Sequence, residues 1–222
     1  MDKNELSIQY MKENNYEMAA KVLTEAIEEN KNDPLPYVNF GNLLSFLSDY
    51  ERALNFYNKA IELEEKTAPA YYGRGNVFYQ QGQISEAKDD FEKAIRYGLD
   101  DSDAYFMLGM CLFQLEQPRL ALPYLQRSVE LNPTDQDAMF QYGLCLAQLK
   151  YFDEAVNSFH KVIELNPTHA DAYYNLGVAY YLEEDLEQKA LEYFNKALEI
   201  QPDHMLASYG KKMIEKFLNE NE

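Results

Sequence analysis

Positive charge is in short supply in this sequence: 20 Lys and Arg stand against 38 Asp and Glu, a formal net charge of −18 at pH 7. A surface of that sign repels phosphate backbones and anionic lipid headgroups, so nucleic-acid and membrane binding are not expected and partners should be neutral or basic. Cysteine is scarce too, with two in 222 residues, which fits a reducing compartment and no disulfide framework. No apolar run approaches the ~20 residues of a membrane span. The opening stretch MDKNELSIQYMKENN lacks the basic start and apolar centre of a signal peptide, and a soluble cytoplasmic protein is the expectation. A phosphate-binding glycine loop, a metal-ligand cluster and a nucleophile motif are all missing, so neither enzyme chemistry nor a cofactor is expected.

What is present is a repeat. Gly41, Gly75, Gly109, Gly143 and Gly177 are spaced 34 residues apart. Ala19, Ala53, Ala87, Ala121 and Ala155 keep the same period, each twelve residues after the glycine, or after Ser7 in its place. Each unit reads as two helices. The first carries apolar residues four before, one before and three after the glycine, as in Tyr37, Phe40 and Leu44, one face of a 3.6-residue helix. The second is a block such as YERALNFYNKAIEL, and short polar joints such as LSD, QGQ and LEE connect the two. Small residues let the helices approach, and large aromatics fill the remaining space.

This pattern resembles the tetratricopeptide repeat family, whose tryptophan, leucine, glycine, tyrosine, alanine, aromatic, alanine and proline signature appears as Tyr173, Leu176, Gly177, Tyr180, Ala190, Phe194, Ala197 and Pro202. The resemblance implies an all-α, right-handed superhelical solenoid, a single domain over residues 1–222. Six helix-turn-helix repeats are expected at about 1–33, 34–67, 68–101, 102–135, 136–169 and 170–204, followed by a polar capping helix over 205–219. One extra residue in EEDLEQKA starts the last second helix one position late, and Pro123 is expected to kink the second helix of repeat four.

The resemblance also implies that first helices line the concave side of the array. Residues three before, one after and four after each glycine share one stripe, turned about 100° from the packing stripe. The expected ligand groove therefore includes Asn42 with Asn39 at its edge, then Tyr72, Asn76 and Tyr79, then Phe106, Met110 and Phe113. It continues through Phe140 and Leu144 to Tyr174, Val178 and Tyr181, with Asn175 at the edge. Val38, Ser45 and Ala147 fall on the same stripe. If each of its rings left ~100 Å² exposed, they alone would exceed the largest apolar patch of a typical monomer. Asp103, Asp137 and Asp171 recur six residues before the glycine, at favourable helix starts and as an acidic rim for a basic partner.

The inner helices of repeats four to six carry no Lys or Arg, which disfavours capture of an acidic tail. Arg74 occupies a position that normally packs. Lys59, Lys93, Arg127, Lys161 and Lys196 recur on second helices as solvated outer-face residues, several with a glutamate three positions later. Cys111 and Cys145 read as small core residues, and His160, His169 and His204 are too dispersed for a metal site. The expected function is a non-catalytic scaffold or adaptor, a monomer or weakly self-associating, that binds a neutral or basic segment of another protein with apolar or aromatic anchors. The alternatives are a regulatory peptide sensor, a co-chaperone-like assembly factor, or a self-associating structural module.

Overall fold

The computed structural model describes residues 2–182 and 186–221, and those residues form thirteen α-helices and no strand. Two compact units divide the chain, Met1–Leu115 and Glu116–Glu222. The first unit holds α1 (Lys3–Lys12), α2 (Tyr16–Glu29), α3 (Pro34–Phe46), α4 (Tyr50–Leu63), α5 (Ala68–Gln80), α6 (Ile84–Arg96) and α7 (Ser102–Gln114). The second holds α8 (Pro118–Leu131), α9 (Gln136–Gln148), α10 (Phe152–Leu165), α11 (Ala170–Tyr181), α12 (Glu187–Ile200) and α13 (Met205–Asn221). Within each unit, odd and even helices pair as the first and second helices of the expected repeats. First helices also touch those of the next repeat, α1 with α3, α3 with α5, and α11 with α13.

The two small-residue columns explain this packing. All six second-helix alanines, Ala19 to Ala190, are completely buried. Four residues beyond the alanine stands one large buried side chain per repeat: Leu23, Tyr57, Phe91, Leu125, Phe159 and Phe194. Several of these rings lie where a Cβ on the column glycine would be. A Cβ at Gly41 would come within 2.6 Å of the Tyr57 ring, and one at Gly177 within 2.7 Å of Phe194. The next first helix repeats the device, since a Cβ at Gly73 would meet Tyr57 at 2.5 Å and one at Gly210 would meet Phe194 at 2.7 Å. Tyr57 and Phe194 are thus each held between two backbones that lack side chains at the contact.

Most first-helix starts are capped by side chains. Asp33, Asp101 and Asp135 each accept a hydrogen bond from an N–H in the first turn of α3, α7 and α9. In the next two repeats a histidine takes that role: His169 Nδ1 accepts from the Ala172 N–H at 3.2 Å, and His204 Nδ1 from the Ala207 N–H at 3.1 Å. The turn inside each repeat is equally periodic. Seven residues after the glycine position, Asn14, Ser48, Gly82, Glu116 and Lys150 all have φ between 58° and 73°. Only one of these left-handed residues is a glycine.

The second helix of repeat four, α8, runs from Pro118 to Leu131 and holds Pro123 inside it. Pro118 takes the first helical position, where its missing N–H costs nothing. The extra residue of the last repeat falls at residues 183–185, outside the described residues. The helices around it agree with the expectation, because α12 opens ten residues after Gly177, whereas α10 opens nine after Gly143. The polar cap is only half polar. Ser208, Lys211, Lys212 and Glu215 occupy the face where a further second helix would pack, but Met205, Tyr209, Met213 and Phe217 expose another face of α13.

Both cysteines are free and buried, as core residues. Burial pushes the Cys111 thiol up to about 12 and the Cys145 thiol up to about 11. Thiolate is the reactive form, so both should resist iodoacetamide at pH 7.5 in the native protein and react promptly once denaturant exposes them. Rapid native labelling of either, read by intact mass, would contradict the burial.

Candidate functional site

In the first unit, α3 and α5 bring three of the expected groove residues together. Asn42, Tyr72 and Asn76 line one cleft of about 590 Å³, joined by Phe46, Tyr57 and Gly73. Burial of the Tyr57 ring leaves its hydroxyl at the cleft, where it donates to Asn42 Oδ1 at 2.7 Å. Burial also raises the Tyr72 phenol, opposed by its hydrogen bond with Asn76. Both phenols therefore stay neutral near pH 7. The arrangement offers amide and phenol groups that both donate and accept, around a ring that rests on Phe91 at 5.7 Å. Peptide backbone has the same two kinds of group.

Not every expected residue joins this cleft. Val38 is buried in the core, 3% exposed, and Asn39 turns its amide to Asn4 of α1 at 3.1 Å. Tyr79 accepts a hydrogen bond from Gln114 of α7 at 2.6 Å. Phe106, Met110 and Phe113 are half-buried along α7. Phe46, 65% exposed, belongs to the cleft although the sequence reading passed over it.

In the second unit, Phe140, Leu144, Tyr174, Asn175 and Val178 are half-buried on α9 and α11, and Tyr181 is 41% exposed. The rings three before the glycine have two supports each. Phe140 lies against Phe159 at 5.7 Å and against the capping His169 at 4.6 Å. Tyr174 repeats this on Phe194 at 5.8 Å and His204 at 5.2 Å. Tyr174, expected on the groove, therefore also has a packing role. Tyr174→Ala should cost about 1–3 kcal/mol, roughly half of a full aromatic truncation, and a melting temperature equal to wild type would refute the packing role.

Among the expected rim acids, Asp103 and Asp137 are exposed in the first turns of α7 and α9. Asp171 is different. Because His204 Nδ1 accepts a backbone N–H, its ring proton lies on Nε2, which donates to Asp171 Oδ1 at 3.1 Å. Asn175 likewise donates to the Asp171 carbonyl at 2.8 Å. Tyr209, 65% exposed, and Met213 were missed by the sequence reading. Allowing for the one-residue insertion, they fall three before and one after the glycine position of α13 and extend the stripe. The insertion itself was the available signal.

Arg74 does not reach the stripe. Its guanidinium holds Asp90 through two hydrogen bonds of 2.6 and 2.8 Å, with Asn58 as a further acceptor. Among the described residues no helix is long and apolar enough to cross a membrane, and no three metal-ligand side chains converge.

The model of the tetratricopeptide repeat matches residues 68–97 and 170–204, and a TPR repeat model matches 47–82 and 143–183. The model described as anaphase-promoting complex, cyclosome, subunit 3 matches 90–162. Over 39 residues the chain is 56% identical to the TPR repeat-containing protein YrrB of Bacillus subtilis (strain 168), a stretch that is 18% of this chain and 19% of that protein. Structural similarity to YrrB, a TPR protein with an unusual peptide-binding site, extends much further: 55% identity, 86% of this chain, 97% of that chain and a TM-score of 0.83. The crystal structure of MamA is 25% identical over 78% of this chain and 93% of that one, with a TM-score of 0.70. Pseudomonas aeruginosa pilF, 17% identical over 95% of this chain and 96% of its own, shares the fold with a TM-score of 0.77. With its helices paired on that period and 55% identity to a TPR protein over 86% of its length, the chain belongs to the tetratricopeptide repeat family.

Proposed function

We propose that this protein is a cytoplasmic, non-catalytic scaffold that binds a segment of a partner protein along the inner stripe of its first helices. The observation that carries the reading is the first-unit cleft, where Asn42, Asn76 and the Tyr57 hydroxyl surround the Tyr72 ring. Paired amides suit the backbone of an extended peptide, and the ring suits an apolar or aromatic anchor. In the second unit the stripe is apolar and α9 and α11 carry no Lys or Arg, with Asp137 at the start of α9. That combination favours a neutral or basic segment. The peptide-binding site of YrrB supports the same reading by similarity.

The test is affinity capture with the full chain, comparing wild type with Asn42→Ala/Asn76→Ala and with Leu144→Asp/Tyr181→Ala. Variants that keep the wild-type melting curve yet lose the same captured proteins are the expected result. Unchanged capture by both would overturn the groove. A second reading, self-association, is favoured by the exposed face of α13, where Met205 is 83% exposed. Light scattering on wild type and on Met205→Asp/Tyr209→Asp separates the two, because a particle of 25.9 kDa at high concentration removes self-association.

A further inference from the structure

On the outer side of the second unit, between α8, α9 and α10, lies a separate cleft of about 560 Å³ whose lining includes Val129, Met139, Tyr142, Lys161 and Leu165. Its origin is the one exception in a column among repeats two to six. Four residues before the glycine, the repeats carry Tyr37, Tyr71, Tyr105, Met139 and Tyr173. In three of the other repeats the tyrosine ring packs against a further ring: Tyr37 lies 6.3 Å from Phe56, Tyr71 5.4 Å from Tyr97, and Tyr173 6.4 Å from Tyr193. In repeat three, Lys93 also places its ammonium over the Tyr71 ring, 5.5 Å from the centroid.

Repeat five keeps the lysine of that column and lacks the ring. Lys161 stands eighteen residues after Gly143, as Lys93 does after Gly75. Its column neighbours in other repeats pair with a glutamate three positions on, Lys59 with Glu62, Arg127 with Glu130 and Lys196 with Glu199. Lys161 has no such ion pair among the described residues, and both Lys161 and Glu164 line the cleft. The cleft therefore has an apolar floor, an unpaired ammonium on one wall and carboxylates at its edge. An aromatic ring has the complementary distribution, a negative face and a positive edge.

We propose that this outer cleft is a docking site for a tyrosine side chain of a partner protein, which takes the place that Met139 leaves open. The ring lies over Met139 and Val129 beneath Lys161, and the phenol hydroxyl donates to the Glu164 carboxylate. This surface is built from α8, α10 and one side of α9, and shares no lining residue with the inner stripe.

The test uses the full chain with labelled Met, Leu and Val methyls, titrated with N-acetyltyrosine amide and followed by NMR. Saturable shifts at Met139, Val129 and Leu165 are expected, with Leu144 and Val178 of the inner stripe unmoved. Lys161→Gln should weaken binding about two- to five-fold, the loss of one cation–π contact. Met139→Tyr should abolish the titration by restoring the internal ring, whereas Met139→Leu keeps it. Should Met139→Tyr fail to fold, Leu165→Trp blocks the cleft from its exposed edge and must abolish the shifts as well. No saturable shift at the three methyls, or binding that survives the blocking variant, overturns the site. Equal binding of N-acetylphenylalanine amide overturns the choice of tyrosine.

Discussion

Arg74→Ala is expected to destabilise the first unit by about 3–5 kcal/mol, the cost of removing one partner of a buried ion pair. The side chain of Asp90 is 4% exposed and that of Arg74 18%, and the guanidinium meets both carboxylate oxygens. Truncation leaves a carboxylate that water cannot reach without opening the contact between α5 and α6. Arg74→Lys should recover little, because one ammonium does not reproduce the two-point contact. The double variant Arg74→Leu/Asp90→Leu is expected to lie much closer to wild type than the single truncation. In repeat two the same two columns hold Phe40 and Phe56, stacked at 4.4 Å, so an apolar pair already fits this place. Urea denaturation of the three variants decides the matter. An Arg74→Ala protein within 1 kcal/mol of wild type would mean that Asp90 finds water or another donor.

Phe194→Ala carries the second large effect, about 3–5 kcal/mol for truncating a buried aromatic ring. Phe194 is 2% exposed, and it fills the space between the backbones at Gly177 and Gly210 while supporting Tyr174. Its loss removes one of the contacts that dock α13, and Gly210 offers no side chain to close the gap. Hydrogen exchange should therefore show α13 losing protection before α9 and α10 do. Gly210→Ala acts from the other side and should cost about 1–3 kcal/mol by overpacking. Uniform exchange across α9 to α13 in Phe194→Ala would rule out the local role of the ring.

The helical pairs were legible because glycine and alanine columns report close approach, and close approach is a property of backbone that side-chain size reveals directly. Helix α12 starts late where the insertion predicts. Site details were less legible. The stripe rule placed Tyr72 and Asn76 beside the same cleft as Asn42. It misplaced Val38, which lies in the core cluster of the first unit, because a stripe angle does not say which neighbours cover it. The Arg74–Asp90 pair was visible only by reading two columns together: both depart from apolar residues in the same repeat. The histidine caps at His169 and His204 were not legible, because the side chains that mark helix starts in a sequence are Ser, Thr, Asp and Asn and not imidazole.

The left-handed turn residue bears on how the repeats diverge from one another. Asn14, Ser48, Gly82, Glu116 and Lys150 share one backbone angle and almost no chemistry. For residues other than glycine that angle is held against its own preference, so it is imposed by the helices that flank it. Mutation can therefore walk through unrelated amino acids at this joint while the angle stays fixed. Glycine and alanine contacts allow no such drift, since one added methyl at Gly41 collides with Tyr57. Within one chain, the ancestry of the repeats is written in what the helices leave out, while their joints have become individual.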